Sequence, residues 1–81
     1  MSEGWLKDCN GYWHVRFHRD KTAWASDPRV FIDYGRPLAD EPALLKSRRR
    51  LRFDDATALW KALKESGWTI SPPAWGAHLE P

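Results

Sequence analysis

The first part of the chain alternates apolar and polar residues with the two-residue period of β-strands. Residues 4–9 and 12–18 form two such runs, and Asn10-Gly11 stands between them. This dipeptide predicts a type I′ hairpin turn, because both central residues of that turn adopt positive φ. The register predicts an apolar face of Leu6, Trp13, Val15 and Phe17, and a polar-aromatic face, open to water, of Trp5, Lys7, Tyr12, His14, Arg16 and His18.

Two further runs have the composition of strands. Residues 29–34 are β-branched and aromatic, which favours a third strand. Residues 44–53 favour a fourth, although Arg49 interrupts its apolar side. Such an inward charge is tolerated on an edge strand, where it discourages pairing with another sheet. The other side of this strand would present a row of basic residues, namely Lys46, Arg48, Arg50 and Arg52.

At Asp54 the period changes to that of a helix. Asp54 is the expected N-cap with Asp55 in the first turn, and Gly67 is the expected left-handed residue after the last turn. One apolar stripe follows the i, i+3, i+4 and i+7 spacing, with Ala56, Leu59, Trp60 and Leu63. These elements predict an α+β fold, in which a small antiparallel sheet of three or four strands begins with the hairpin and one C-terminal helix packs on one face.

The chain length of 81 residues is consistent with one domain spanning residues 1–81. We expect an ordered core over residues 4–75, a frayed end at Met1–Glu3 and a mobile tail at residues 76–81. So short a chain buries a small core, and the six tryptophans supply much of the apolar area.

The net charge of +2 conceals an uneven distribution. Five of the 13 basic residues are Lys46, Arg48, Arg49, Arg50 and Arg52, so the remaining chain has 8 basic against 11 acidic residues. A local basic patch on a mildly acidic body indicates a negatively charged partner.

The sequence offers few candidates for catalysis or metal binding. His14 and His18 are four residues apart on a strand, roughly 13 Å, which is too far to share a metal ion. Cys9 is the only cysteine, so an internal disulfide is excluded. Motifs such as a Gly-rich phosphate loop are absent from the sequence. We therefore expect neither an enzyme nor a cofactor.

The segments GWL, RFH, DPRVFIDYGRPL, EPALLKSRRRL and ALWKALKESGW, with a later P-x-W, together resemble a family of short cyanobacterial proteins classified as a domain of unknown function. The resemblance extends over residues 4–75. It implies a cyanobacterial protein in the cytoplasm and assigns no residue a role. The absence of a long apolar run or a signal-peptide core also favours the cytoplasm and no membrane partner.

Two functions fit these residues. The first is a non-enzymatic module that binds nucleic acid through the basic strand, because arginine forks match phosphates and clustered positive charge supplies nonspecific affinity. The second is an adaptor or small regulator that binds an acidic protein surface or forms a homodimer, because exposed Trp, Tyr and Arg are typical of interface hot spots. The candidate contact residues are Lys46, Arg48, Arg49, Arg50 and Arg52 on the basic strand, with Trp5, Tyr12, His14 and Arg16 on the hairpin.

Overall fold

A computed structural model describes residues 3–81 as a five-stranded antiparallel sheet and one helix. The α+β class is confirmed, with five strands instead of the three or four predicted. The predicted frayed end lies mostly outside the described residues. The strands follow the spatial order β4-β3-β2-β1-β5. The elements are β1 (Gly4–Lys7), β2 (His14–Arg19), β3 (Arg29–Leu38), β4 (Glu41–Arg52), α1 (Phe53–Glu65) and β5 (Thr69–Ile70).

The hairpin has the predicted register but a different turn. Trp5 pairs with Arg16 and Lys7 with His14. The type I′ prediction is wrong, because Gly11 has a positive φ of 68° and Asn10 does not. The backbone carbonyl and side chain of Asp8 accept the N–H groups of Gly11 and Tyr12, at 3.0 and 2.8 Å. The Asp8 N–H also donates to the Trp13 carbonyl at 3.0 Å, which continues the predicted register beyond the Lys7–His14 pair.

The apolar core lies between the sheet and α1, on the side of the sheet that we call the helix side. The ring of Trp60 on α1 packs edge-on against Phe17 on β2, with 5.1 Å between ring centroids. Arg49 and Ser47 on β4 share this side through their pairing with Ile32 and Tyr34. The fully buried apolar residues of the core are Leu6, Val15, Phe17, Val30, Ile32 and Ala56.

The two ends of α1 differ in how well the sequence predicts them. The helix begins at Phe53, and the predicted cap Asp54 lies in its first turn, so that prediction is wrong. The Phe53 N–H donates to the Pro28 carbonyl at 3.1 Å, which fixes the chain at the entry to the helix. At the other end Gly67 has a φ of 101°, and the Trp68 N–H donates to the Leu63 carbonyl at 3.0 Å. The predicted C-terminal cap is confirmed.

The C-terminal segment, residues 71–81, crosses the opposite side of the sheet, which we call the second face. Trp75 is only 7% exposed and packs edge-on against Trp5 at 4.6 Å. Gly35 permits this approach, since a Cβ there would lie 3.2 Å from the Trp75 ring and 2.7 Å from the Leu44 carbonyl. Arg16 donates to the Ala77 carbonyl at 3.0 Å. The expectation that this face is open to water is therefore wrong, while the mobility of residues 76–81 stays a prediction.

The helix α1 spans 13 residues. No helix in the described part of the chain combines the length and apolar character needed to cross a membrane.

Candidate functional site

A β-bulge divides the predicted basic row on β4. Ser47 pairs with Tyr34 while Leu45 pairs with Gly35, so Lys46 is an extra residue in the strand. Its Nζ atom lies 5.8 Å from the centroid of the Trp13 ring, on the helix side. The prediction that Lys46, Arg48, Arg50 and Arg52 form one row is therefore wrong, because the bulge reverses the alternation at Lys46.

Arg48 is engaged by a buried carboxylate on the second face. Asp33 on β3 is fully buried, and the Arg48 guanidinium donates to both of its oxygens, at 2.7 and 2.8 Å. His18 Nε2 lies 2.8 Å from the same carboxylate, and Glu80 approaches Arg48 at 3.5 Å. Burial alone would raise the pKa of Asp33, but the hydrogen bonds from Arg48 and His18 outweigh it and lower that pKa. Arg48 is thus part of the folded network.

Arg50 is also matched by an acidic residue of the chain. Its Nε donates to Asp20 at 2.7 Å. Asp20 further accepts the backbone N–H and the hydroxyl of Thr22, at 2.9 and 2.6 Å. The hydrogen bonds from Thr22, followed by that from Arg50, lower the pKa of Asp20 to about 2. Arg52 is exposed and forms no ion pair within residues 3–81, although Asp27 and Asp54 line the same depression.

Two further cations of β4, on the helix side, also have no carboxylate partner in the described chain. Within residues 3–81, neither Lys46 nor Arg49 forms an ion pair. Both side chains are exposed on the helix side. Arg36, at the end of β3, also forms no ion pair in the described chain, and its guanidinium stacks 3.7 Å above the centroid of the Tyr12 ring. We call Arg36, Lys46 and Arg49 the cationic rim.

Lys46 lines an open cleft of about 340 Å³. Arg49 lies two positions beyond the lining residue Ser47 on β4, and Arg36 stacks on Tyr12, next to the lining residue Trp13. The rings of Tyr34 and Trp68 meet at 88° with 6.4 Å between their centroids. Trp68 reaches this position because the C-terminal cap of α1 turns the chain back onto the sheet. The residues that line this space, which we call the aromatic cleft, are Trp13, Tyr34, Lys46, Ser47 and Trp68.

The hairpin residues predicted to make contacts occupy different environments. Trp5 lies under Trp75, and Arg16 is bonded to the C-terminal segment. His14 is buried, and that burial lowers its pKa. These three side chains are therefore poorly placed to meet a macromolecule. Tyr12 is 46% exposed, and its ring lies 5.4 Å from Trp13 beside the aromatic cleft.

The sequence interpretation placed Trp13 on the apolar face of the hairpin and did not name Trp13, Tyr34 or Trp68 as site residues. In the structure all three are partly buried, and Tyr34 and Trp68 pack against the core at its edge. A signal for them was present in the element lengths. A helix of 13 residues is about 20 Å long, whereas a strand of 12 residues extends about 40 Å. The helix therefore leaves one end of the apolar side uncovered, and the cleft lies there.

The remaining candidate groups lie apart from one another in residues 3–81. No group of three or more His, Cys, Asp or Glu residues there is arranged to hold a metal ion. His18 is hydrogen-bonded to Asp33, and Cys9 is an exposed free thiol.

The fold and this surface define a small α+β domain with an aromatic and cationic patch beyond the end of its helix. The chain belongs to the family described as "Protein of unknown function (DUF1651)", whose sequence model matches residues 3–75. The predicted resemblance to a domain of unknown function is thus confirmed. No curated protein and no solved structure shows significant similarity to the chain.

Proposed function

We propose that this protein is a non-enzymatic module that binds nucleic acid through the cationic rim. The observation that supports this proposal is that Arg36, Lys46 and Arg49 have no carboxylate partner within residues 3–81, and that Lys46 lines the aromatic cleft. Arginine and lysine side chains that are free of internal partners can bind phosphate oxygens directly. The contact surface then differs from the predicted row, since Arg48 and Arg50 serve the fold.

Only a few phosphates would be neutralised by so small a rim. Three contacts predict a slope of log K against log salt of about −2 for a single strand and about −3 for a duplex. The expected binding is therefore weak at physiological salt and strengthens steeply as salt is lowered.

The test is fluorescence anisotropy with labelled single- and double-stranded DNA and RNA across a salt series. The double variant Lys46→Gln/Arg49→Gln should weaken binding and reduce the salt slope by about 1–2, because each phosphate contact contributes about one unit or slightly less. The matched control is Lys21→Gln/Lys61→Gln, which removes the same charge at two exposed sites away from the rim. Absence of binding at low salt, or an equal loss in the control, would contradict the proposal.

A second candidate function is an adaptor that binds an acidic protein segment. The observation that favours it is the position of β4, a 12-residue strand at the edge of the sheet. An edge strand can add an extended peptide through its backbone, and acidic side chains on that peptide would pair with Lys46 and Arg49. A homodimer through β4 is less favourable, because it would bring basic side chains of two copies together.

A pull-down from native extract after nuclease treatment separates the two functions. A stoichiometric protein that survives the nuclease, and is lost with Lys46→Gln/Arg49→Gln, would support the adaptor. The sequence resemblance further supports a cyanobacterial source and a cytoplasmic location, and both remain part of this proposal.

A further inference from the structure

We infer that the aromatic cleft holds one unpaired base, so that single-stranded nucleic acid is the preferred ligand. This inference rests on the proposed function, which concerns only the phosphate contacts of the cationic rim.

The shape of the cleft suits a flat apolar ring. Tyr34 and Trp68 form a corner of about 90°, and Trp13 provides a third aromatic wall. The two non-aromatic lining residues, Lys46 and Ser47, bring an ammonium and a hydroxyl to the cleft. A base can stack on one indole while its polar edge meets the ammonium or the hydroxyl. Base–aromatic stacking tolerates any sequence, because every base has a π-face.

The positive charges around the cleft favour a nucleotide as its ligand over an apolar peptide side chain. The Lys46 ammonium lies 5.8 Å from the Trp13 ring, at the wall of the cleft itself. Arg49 is two residues beyond Ser47 on the same side of β4, roughly 7 Å along the strand. On the other side, Arg36 stacks on Tyr12, whose ring contacts that of Trp13. A base in the cleft would therefore have a cation on each side for the phosphates that flank it.

The recessed geometry selects an unpaired base. In a duplex the bases are stacked and paired, and inserting one into a corner first requires that it be unpaired and turned out of the stack, which weakens binding. An unstacked base of a single strand enters without that step. The predicted order of affinity is a single strand, then a duplex with one bulged base, then a continuous duplex.

The experiment compares labelled oligonucleotides of equal length in low salt by fluorescence anisotropy. The set contains a single strand, the same strand with every base removed to leave abasic sites, a blunt duplex and a duplex with one bulged base. The abasic strand should bind about 5- to 150-fold more weakly than the intact strand, which is the fold-change for about 1–3 kcal/mol of stacking. The bulged duplex should bind more tightly than the blunt one.

Two variants test the cleft directly. Trp13→Ala should remove most of the difference between intact and abasic strands, whereas Trp24→Ala should not, because Trp24 is 82% exposed and lies outside the cleft. Ser47→Leu fills the cleft from an exposed position on β4 and should have the same effect. It therefore provides the test if Trp13→Ala does not fold.

The outcomes separate this inference from the proposed function. Salt-dependent binding that is equal for intact, abasic and duplex ligands would overturn the cleft as a base site and leave the phosphate contacts standing. Binding of none of the four ligands would overturn both.

Discussion

The two sides of β4 carry the same kind of side chain and use it in opposite ways. On the second face, Arg48 and Arg50 donate to Asp33 and Asp20 at 2.7 Å. On the helix side, Arg49 is exposed and forms no ion pair within residues 3–81. Neighbouring arginines of one strand thus differ in whether their charge is available to a partner. The number of charges in a segment does not reveal this difference.

Burial explains why the two sides diverge. Asp33 is fully buried, and a buried carboxylate is tolerated only when it is paired and hydrogen-bonded. Arg48 and His18 meet that requirement, so their positions are determined by the fold. Lys46 and Arg49 of the rim are exposed to water, where an unpaired cation costs the fold little and can be used for binding.

The largest expected effect comes from breaking the buried pair. Asp33→Asn should destabilise the protein by about 3–5 kcal/mol, because Arg48 loses a buried bidentate partner. Urea unfolding followed by tryptophan fluorescence measures this change. Lys46→Gln/Arg49→Gln serves as the comparison. Its free energy of unfolding should stay within about 0.5 kcal/mol of the wild-type value, since these side chains are exposed. Equal effects of the two variants would contradict the division between the sides of β4.

A smaller loss of stability is expected when the C-terminal segment no longer packs on the second face. Trp75→Ala should lower the free energy of unfolding by about 3 kcal/mol. This is the lower end of the range for a buried tryptophan, because Trp75 packs on the sheet outside the main core. Thermal unfolding by circular dichroism measures the loss, and Trp24→Ala, at an exposed tryptophan, should cost less than about 0.5 kcal/mol. Nucleic-acid binding by folded Trp75→Ala should equal that of the wild type. A loss of binding there would mean that the second face takes part after all.

Much of the fold can be predicted because its signals are local. The alternation around Asn10-Gly11 determines the hairpin register, and Gly67 determines the end of α1. The turn type differs because the Asp8 side chain competes for backbone N–H groups, which a dipeptide rule does not include. The predicted number of strands is too low because β5 has only two residues and depends on its pairing with β1.

The candidate site is less predictable because tertiary contacts determine it. A single inserted residue in β4 moves Lys46 to the other side, and no local pattern marks that bulge. The pairing of Arg48 with Asp33 joins residues 15 apart, and that of Arg50 with Asp20 joins residues 30 apart. The basic composition of β4 could be read from the sequence, but the subset of free cations could not.

The smallest expected effect is the acid sensitivity of the second face. The folded-state pKa of Asp20 is about 2, below the unfolded value near 3.9, and that of Asp33 is also lowered. The stability that these carboxylates contribute is complete above about pH 4 and is lost as the pH falls towards 2. Asp20→Asn should therefore show a shallower fall in melting temperature between pH 4 and 2 than the wild type, measured by circular dichroism. Lys46→Gln/Arg49→Gln should keep the wild-type slope, because no carboxylate within residues 3–81 pairs with the rim. If the rim variant became shallower as well, acidic side chains would be engaging those cations, and the two sides of β4 would not differ in the way the contacts indicate.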